Sequence, residues 1–256
     1  MSEPNLSALF SSLEQALKTK TVNNTFKISE LTMAQQREIL VTAFDQYEMP
    51  AKLSNAFNRI IQSNVEILIP EQRLTVLNKP ILLRELRDLS IGDTFTRKNE
   101  TEVETYKFNK IDYKKLDKAK TEQVITIADG IKIYLEIPTL DKDTLYNNHV
   151  LKAIAAQRRQ NDQIDRGQIT TIYLNFEILK YISKITVNDV DYPMVNLTLN
   201  EQLRAVSSFP QDTSDKITKF IENVRNVEEM VFKAANVKTK EEISVDPQLN
   251  LFSKEL

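Results

Sequence analysis

QVITIADGIKIYLEI, residues 123–137, decides the fold class. Apolar and polar residues alternate on either side of Ala128-Asp129-Gly130, so two short strands are expected to meet at a tight turn where Asp-Gly accepts positive φ. Residues 103–109, with Val103, Thr105, Lys107 and the run TYKFN, add a strand of the same period. A small antiparallel sheet is therefore expected here.

Upstream, the apolar spacing is three and four residues. A Thr32 cap precedes AQQREILVTAF, which puts Met33, Ile39, Leu40, Ala43 and Phe44 on one side of a helix. Beyond Pro50, Leu53, Ala56, Phe57, Ile60 and Ile61 form a second stripe. A third helix starts near Pro80, carries Leu82, Leu83, Leu86 and Leu89, and stops at Gly92. Residues 26–92 read as a three-helix unit. Helices in one stretch and antiparallel strands in another make an α+β fold, predominantly helical with small hairpins.

Downstream, LYNNHVLKAIAAQRRQ reads as a helix inside the polar, Gln-rich stretch 141–166, which suits an exposed connection between two halves. TTIYLNFEILKYISKI fits strand by composition and helix by the spacing of Phe176, Leu179, Ile182 and Ile185. ITVNDVDYPM predicts a hairpin turning at Asn188-Asp189. LTLNEQLRAV predicts a helix with a capping box from Thr198 to Glu201, and a final helix is expected over about Asp215–Ala234. The divisions that follow are a helical arm at 1–25, helices plus sheet at 26–140, a connecting helix at 141–166, a second α+β half at 167–236 and a flexible tail at 237–256.

Composition excludes much chemistry. No cysteine means no disulfide, thiolate metal site or Cys nucleophile, and the three glycines, Gly92, Gly130 and Gly167, cannot build a phosphate-cradling loop. His149 is the single histidine, with no second histidine for a metal set; a solvent-exposed or hydrogen-bonded role is expected. The acidic pairs Glu228-Glu229, Glu241-Glu242 and Asp189/Asp191 and the lysines from Lys107 to Lys118 read as solvated faces. A net charge of -2 gives no field for nucleic acid. The opening residues lack a secretory signal, and no apolar run approaches the ~18 residues that span a bilayer. The expectation is a non-enzymatic, non-membrane protein without cofactor or metal that binds other proteins, with an oligomer allowed.

Two segments are candidate protein-binding elements. Over residues 4–20, Leu6, Leu9, Phe10, Leu13 and Leu17 form one apolar helical stripe, fitting an arm that docks on another chain or a helix packed on its own domain. Near the other end, Gln248, Leu249, Leu251 and Phe252 match all four defining positions of the Q-L-x-L-F peptide with which many bacterial proteins dock in the sliding clamp. A mobile tail could insert Leu251 and Phe252 as anchors; the alternative is a tail packed on its own domain.

Residues 26–235 also resemble the baseplate hub and hub-assembly proteins of T-even-type contractile-tailed bacteriophages. LTMAQQREILVTAF is similar to the family's opening helix. NKPILLRELRDLSIGD resembles its helix with a leucine-arginine pair and Ser-x-Gly turn, here Leu86, Arg87, Ser90 and Gly92, and ADGIKIYLEIP resembles its strand leading to a proline. EILKYISKITVNDVDYPM and NLTLNEQLRAVSSFPQDTSDKITKFIENV resemble the later half and favour a helix over the ambiguous segment. The Cys-x-x-Cys pairs of many members are missing, so a zinc-ribbon feature is lost. The resemblance implies a hub subunit or assembly chaperone that binds hub proteins or the tape-measure protein, in the host cytoplasm during assembly or in the tail baseplate, with no catalytic residues. The rivals are a clamp-tethered replication or late-transcription accessory factor, and a hydrolase whose metal is held by Asp/Glu alone.

Overall fold

A computed structural model of the chain describes residues 16–42, 47–98, 102–116, 119–160, 165–247 and 251–253. From the N-terminal side, β1 (Thr19–Val22) and β2 (Phe26–Ser29) form a hairpin whose turn residues Asn23 and Asn24 have positive φ. Then come α1 (Met33–Thr42), α2 (Met49–Asn64), β3 (Val65–Ile67) and α3 (Lys79–Ile91). Next are β4 (Thr94–Lys98), β5 (Val103–Phe108), the single-turn α4 (Tyr113–Leu116), β6 (Glu122–Ala128) and β7 (Ile131–Glu136). The second half contains α5 (Leu140–Gln160), α6 (Arg166–Tyr181), β8 (Ile182–Val187), β9 (Val190–Pro193), α7 (Leu199–Ser207), α8 (Gln211–Val231), β10 (Lys233–Asn236) and β11 (Glu242–Ser244).

The strands form three antiparallel sheets, ordered β1-β2-β3, β11-β10-β5-β4 and β6-β7-β8-β9. The fold is α+β. The 123–137 hairpin is present with Ile125 opposite Ile133, and Gly130 sits at φ +76° where a Cβ would lie 2.4 Å from Asn188 Oδ1. Glycine is required there twice over, by backbone conformation and by space. The adjoining hairpin turns at Asn188-Asp189, both with positive φ, as its sequence predicts.

The ambiguous segment is helix and strand in succession. α6 ends at Tyr181, β8 begins at Ile182, and Ile182 stays in register with Leu135 of β7. The Thr198–Glu201 capping box is formed in both directions. α8 starts one turn earlier than expected, directly after Pro210, and stops at Val231 because Ala234–Asn236 pair with β5. β10 thereby closes the final helix onto the central sheet.

Three sequence expectations meet different arrangements. Residues 141–166 hold no exposed connection: Tyr146, Val150 and Ile154 bury a narrow stripe of α5, while its polar residues hydrogen-bond to α2. Leu17 lies in a bend and residues 19–22 are a strand, so the helical reading of 4–20 does not reach its expected end; Leu6, Leu9, Phe10 and Leu13 lie outside the described residues. The segment after Asn236 adds β11 to a sheet and buries Leu251 and Phe252. Buried apolar residues from Val22 to Phe252 form one contiguous cluster, so both expected halves share a core.

Candidate functional site: two buried charge centres and an apolar groove

The first centre lies where α2, α3, α5 and α6 meet. Asp143 of α5 is buried, with Oδ1 accepting from Lys180 Nζ at 2.9 Å and Oδ2 facing Lys79 Nζ at 3.2 Å. Asn58 Nδ2 and Ser54 Oγ also donate to Oδ2, at 2.9 and 3.0 Å. Residues 54, 55 and 58 of α2 share one face, which is why these polar side chains all reach α5. Lys180 also pairs with Glu177 at 2.6 Å.

Burial alone would push the Asp143 carboxyl up, but Lys79 and Lys180 outweigh it and hold the group well below the usual carboxylate range. Burial pulls Lys79 down against the opposing attraction of Asp143. The same burial acts on Lys180, where Glu177 and Asp143 together reverse it and hold the ammonium above its ordinary range. Lys180 has two carboxylates and Lys79 shares one, which explains the opposite directions. A cavity of about 240 Å³ adjoins the cluster, with Glu177, Arg225 and Glu228 also on its wall. Burial raises the Glu228 carboxyl. A carboxylate held ionised between two ammonium groups is a poor general base near neutral pH. Its geometry suits joining four helices.

The second centre belongs to α3 and the sheet β11-β10-β5-β4. Arg84 and Arg87 are buried, and their guanidinium carbons lie 4.3 and 4.9 Å from the centre of the Phe108 ring. Arg84 pairs with Asp88 one turn on. Arg87 instead donates to main-chain carbonyls: Leu251 at 2.8 Å, Thr94 at 3.1 Å, Ser253 at 3.3 Å, and Gly92. Burial pulls both arginines down to about 10, which leaves them charged near neutral pH. Ser90 Oγ accepts from Leu31 N at 2.8 Å, and Gly92 caps α3 at φ +92°. The Leu-Arg and Ser-x-Gly signature thus tethers two other segments to α3.

A third feature is on the surface. Helices α5, α6 and α7 border an apolar groove of about 350 Å³ lined by His149, Ala153, Ile172, Phe176, Leu199 and Leu203. His149 stacks on Phe176 with centroids 5.9 Å apart, and burial followed by Lys152 lowers its pKa. The histidine is an aromatic wall of this groove, a role its isolated sequence position did not reveal.

The acidic pairs are dispersed. Asp191 accepts from Lys184 and Thr186, Glu242 accepts from Asn109, and Glu228 lines the buried cavity. Among the described residues, no group of three or more His, Cys, Asp or Glu side chains is placed to hold a metal ion. That removes the geometric basis for the Asp/Glu metallohydrolase reading. Lys107 and Lys115 pair with Asp93 and Asp112, as solvated faces do. Of the candidate binding residues, Leu251 and Phe252 lie in the core, Leu17 is partly buried, and the others lie outside the described residues. No helix among the described residues is long and apolar enough to cross a membrane.

The helix-bordered groove and the family signature built into α3 are features of a protein that works by packing against others. A family model described as T4 bacteriophage base plate protein matches residues 13–253, and the chain belongs to that family. It is a phage baseplate structural protein. No curated protein and no solved structure matches it.

Proposed function

We propose that this chain works without catalysis in assembly of the baseplate hub, binding hub proteins, the tape-measure protein or both as hub subunit or assembly chaperone. Membership of the base plate family carries the reading. The exposed groove between α5, α6 and α7 supports it, because half-buried Leu199 and Leu203 offer apolar area that a partner helix can cover. The stripe Leu6, Leu9, Phe10, Leu13 and Leu17 supplies a second binding element, as an arm docking on another chain. Assembly takes place in the host cytoplasm, and the protein then belongs to the tail baseplate.

Co-expression with the hub and tape-measure proteins of the same phage tests this. A complex that survives affinity purification and gel filtration is expected, weakened by Leu203→Asp and by Leu9→Asp/Phe10→Asp. A wild-type chain that elutes alone in every combination contradicts it. The sliding-clamp reading rests on Gln248, Leu249, Leu251 and Phe252 in the sequence. Burial of Leu251 and Phe252 counts against it, since both anchors would have to leave the core before entering another pocket.

A further inference from the structure

The C-terminal residues occupy a site with the chemistry of a peptide-binding groove. Arg87 is fully buried, and all four of its acceptors are main-chain carbonyls, two of them on Leu251 and Ser253. A guanidinium bound this way recognises an extended backbone, while side-chain choice falls to the pockets around it. Those pockets bury Leu251 and Phe252, the latter with its ring centroid 6.3 Å from that of Phe57. The ligand class is an extended peptide with adjacent Leu and Phe side chains.

Seat and occupant are separable along the chain. The seat uses Phe57 of α2, Arg87 of α3 and the carbonyls of Gly92 and Thr94; the occupant follows β11, an edge strand of its sheet. The last main-chain bond before Pro247 runs from Val245 N to Phe232 O at 2.9 Å. We propose that this seat also takes the Leu251–Ser253 strap of a second copy, giving a strap-swapped dimer. A strap arriving from a neighbour restores every contact that the chain's own strap makes, and β11 keeps its pairing with β10. Exchange of an identical element costs no contact and changes only the path of the chain after β11. This inference stands apart from the hub-assembly reading.

The test uses the full chain carrying Leu251→Ser and Phe252→Ser, titrated against a fluorescent peptide of residues 245–256, VDPQLNLFSKEL. Saturable binding is expected, weakened about tenfold or more by adding Arg87→Lys, and about tenfold or more weaker to the wild-type chain, whose seat is filled. Wild-type chains carrying two different affinity tags, refolded together, should yield mixed dimers that the doubly substituted chain does not form. The proposal is overturned if the folded variant leaves the peptide unbound, if it binds a serine-substituted peptide equally well, or if the tagged wild-type mixtures stay monomeric. Should the variant not fold, a full chain with a protease site inserted after Pro247 replaces it. After cleavage the strap should stay bound and exchange with labelled peptide; immediate loss of the strap or refusal to exchange overturns the proposal.

Discussion

The two buried charge centres solve one problem by different means. Asp143 is neutralised by side chains, with Lys79 and Lys180 as counter-ions and Ser54 and Asn58 as hydrogen-bond donors. Arg87 is neutralised by main-chain dipoles and the Phe108 face, with no carboxylate bonded to it among the described residues. The side-chain centre joins four helices and should fail globally when its charge is removed. The main-chain centre holds a terminal segment and should fail locally first.

Asp143→Ala should cause the largest loss. Two buried ammonium groups lose their shared counter-ion, and breaking such a cluster costs about 3–5 kcal/mol, read as a lower urea midpoint. Equal loss in Asp143→Ala and in a surface control such as Lys132→Ala would break the comparison. The same carboxylate sets a pH dependence. Its folded pKa lies below its unfolded value, so its contribution is complete well above pH 4 and is lost as pH falls from about 5 downward. Asp143→Asn should flatten that acid limb; an unchanged limb would place the acid sensitivity elsewhere.

Arg87→Lys should come next, at about 2–3 kcal/mol, since an ammonium cannot reproduce the fork that serves four carbonyls. Limited proteolysis should then cut near Leu251 before it cuts α5; simultaneous cutting would erase the distinction between local and global failure. Thr198→Ala, which removes the capping box of α7, should cost about 1 kcal/mol by thermal melting and leave both centres intact. The smallest effect is a gain. Glu228 has a raised folded pKa, so its charged form opposes folding above that pKa, and Glu228→Gln should raise the melting temperature at neutral pH but not in acid. A lower neutral melting point would mean that its attraction to Lys79 outweighs the cost of burial.

Elements with local signatures were legible in the sequence. The Asp-Gly and Asn-Asp hairpins, the capping box and the helix from Pro80 to Gly92 follow from turn chemistry and spacing within a few residues. What stayed hidden depends on partners remote in sequence. α5 looked solvated because Asn147, Asn148 and Asp143 are polar, yet they meet Ser54, Asn55 and Asn58, which pair amides across two helices. Arg87 was marked by family resemblance, but its function required Leu251 and Ser253, more than 160 positions away. The QLNLF run shows the same limit: two apolar anchors look alike in the sequence whether they bind a partner or their own core.

The chain has no cysteine, so a single thiol measures the central claim cleanly. Leu251→Cys should react with a thiol reagent about 100-fold or more slowly than Val195→Cys on the exposed surface, and much of that protection should vanish when Arg87→Lys is added. Equal rates for Leu251→Cys and Val195→Cys in otherwise wild-type chains would contradict the account, because the strap would then be a free tail.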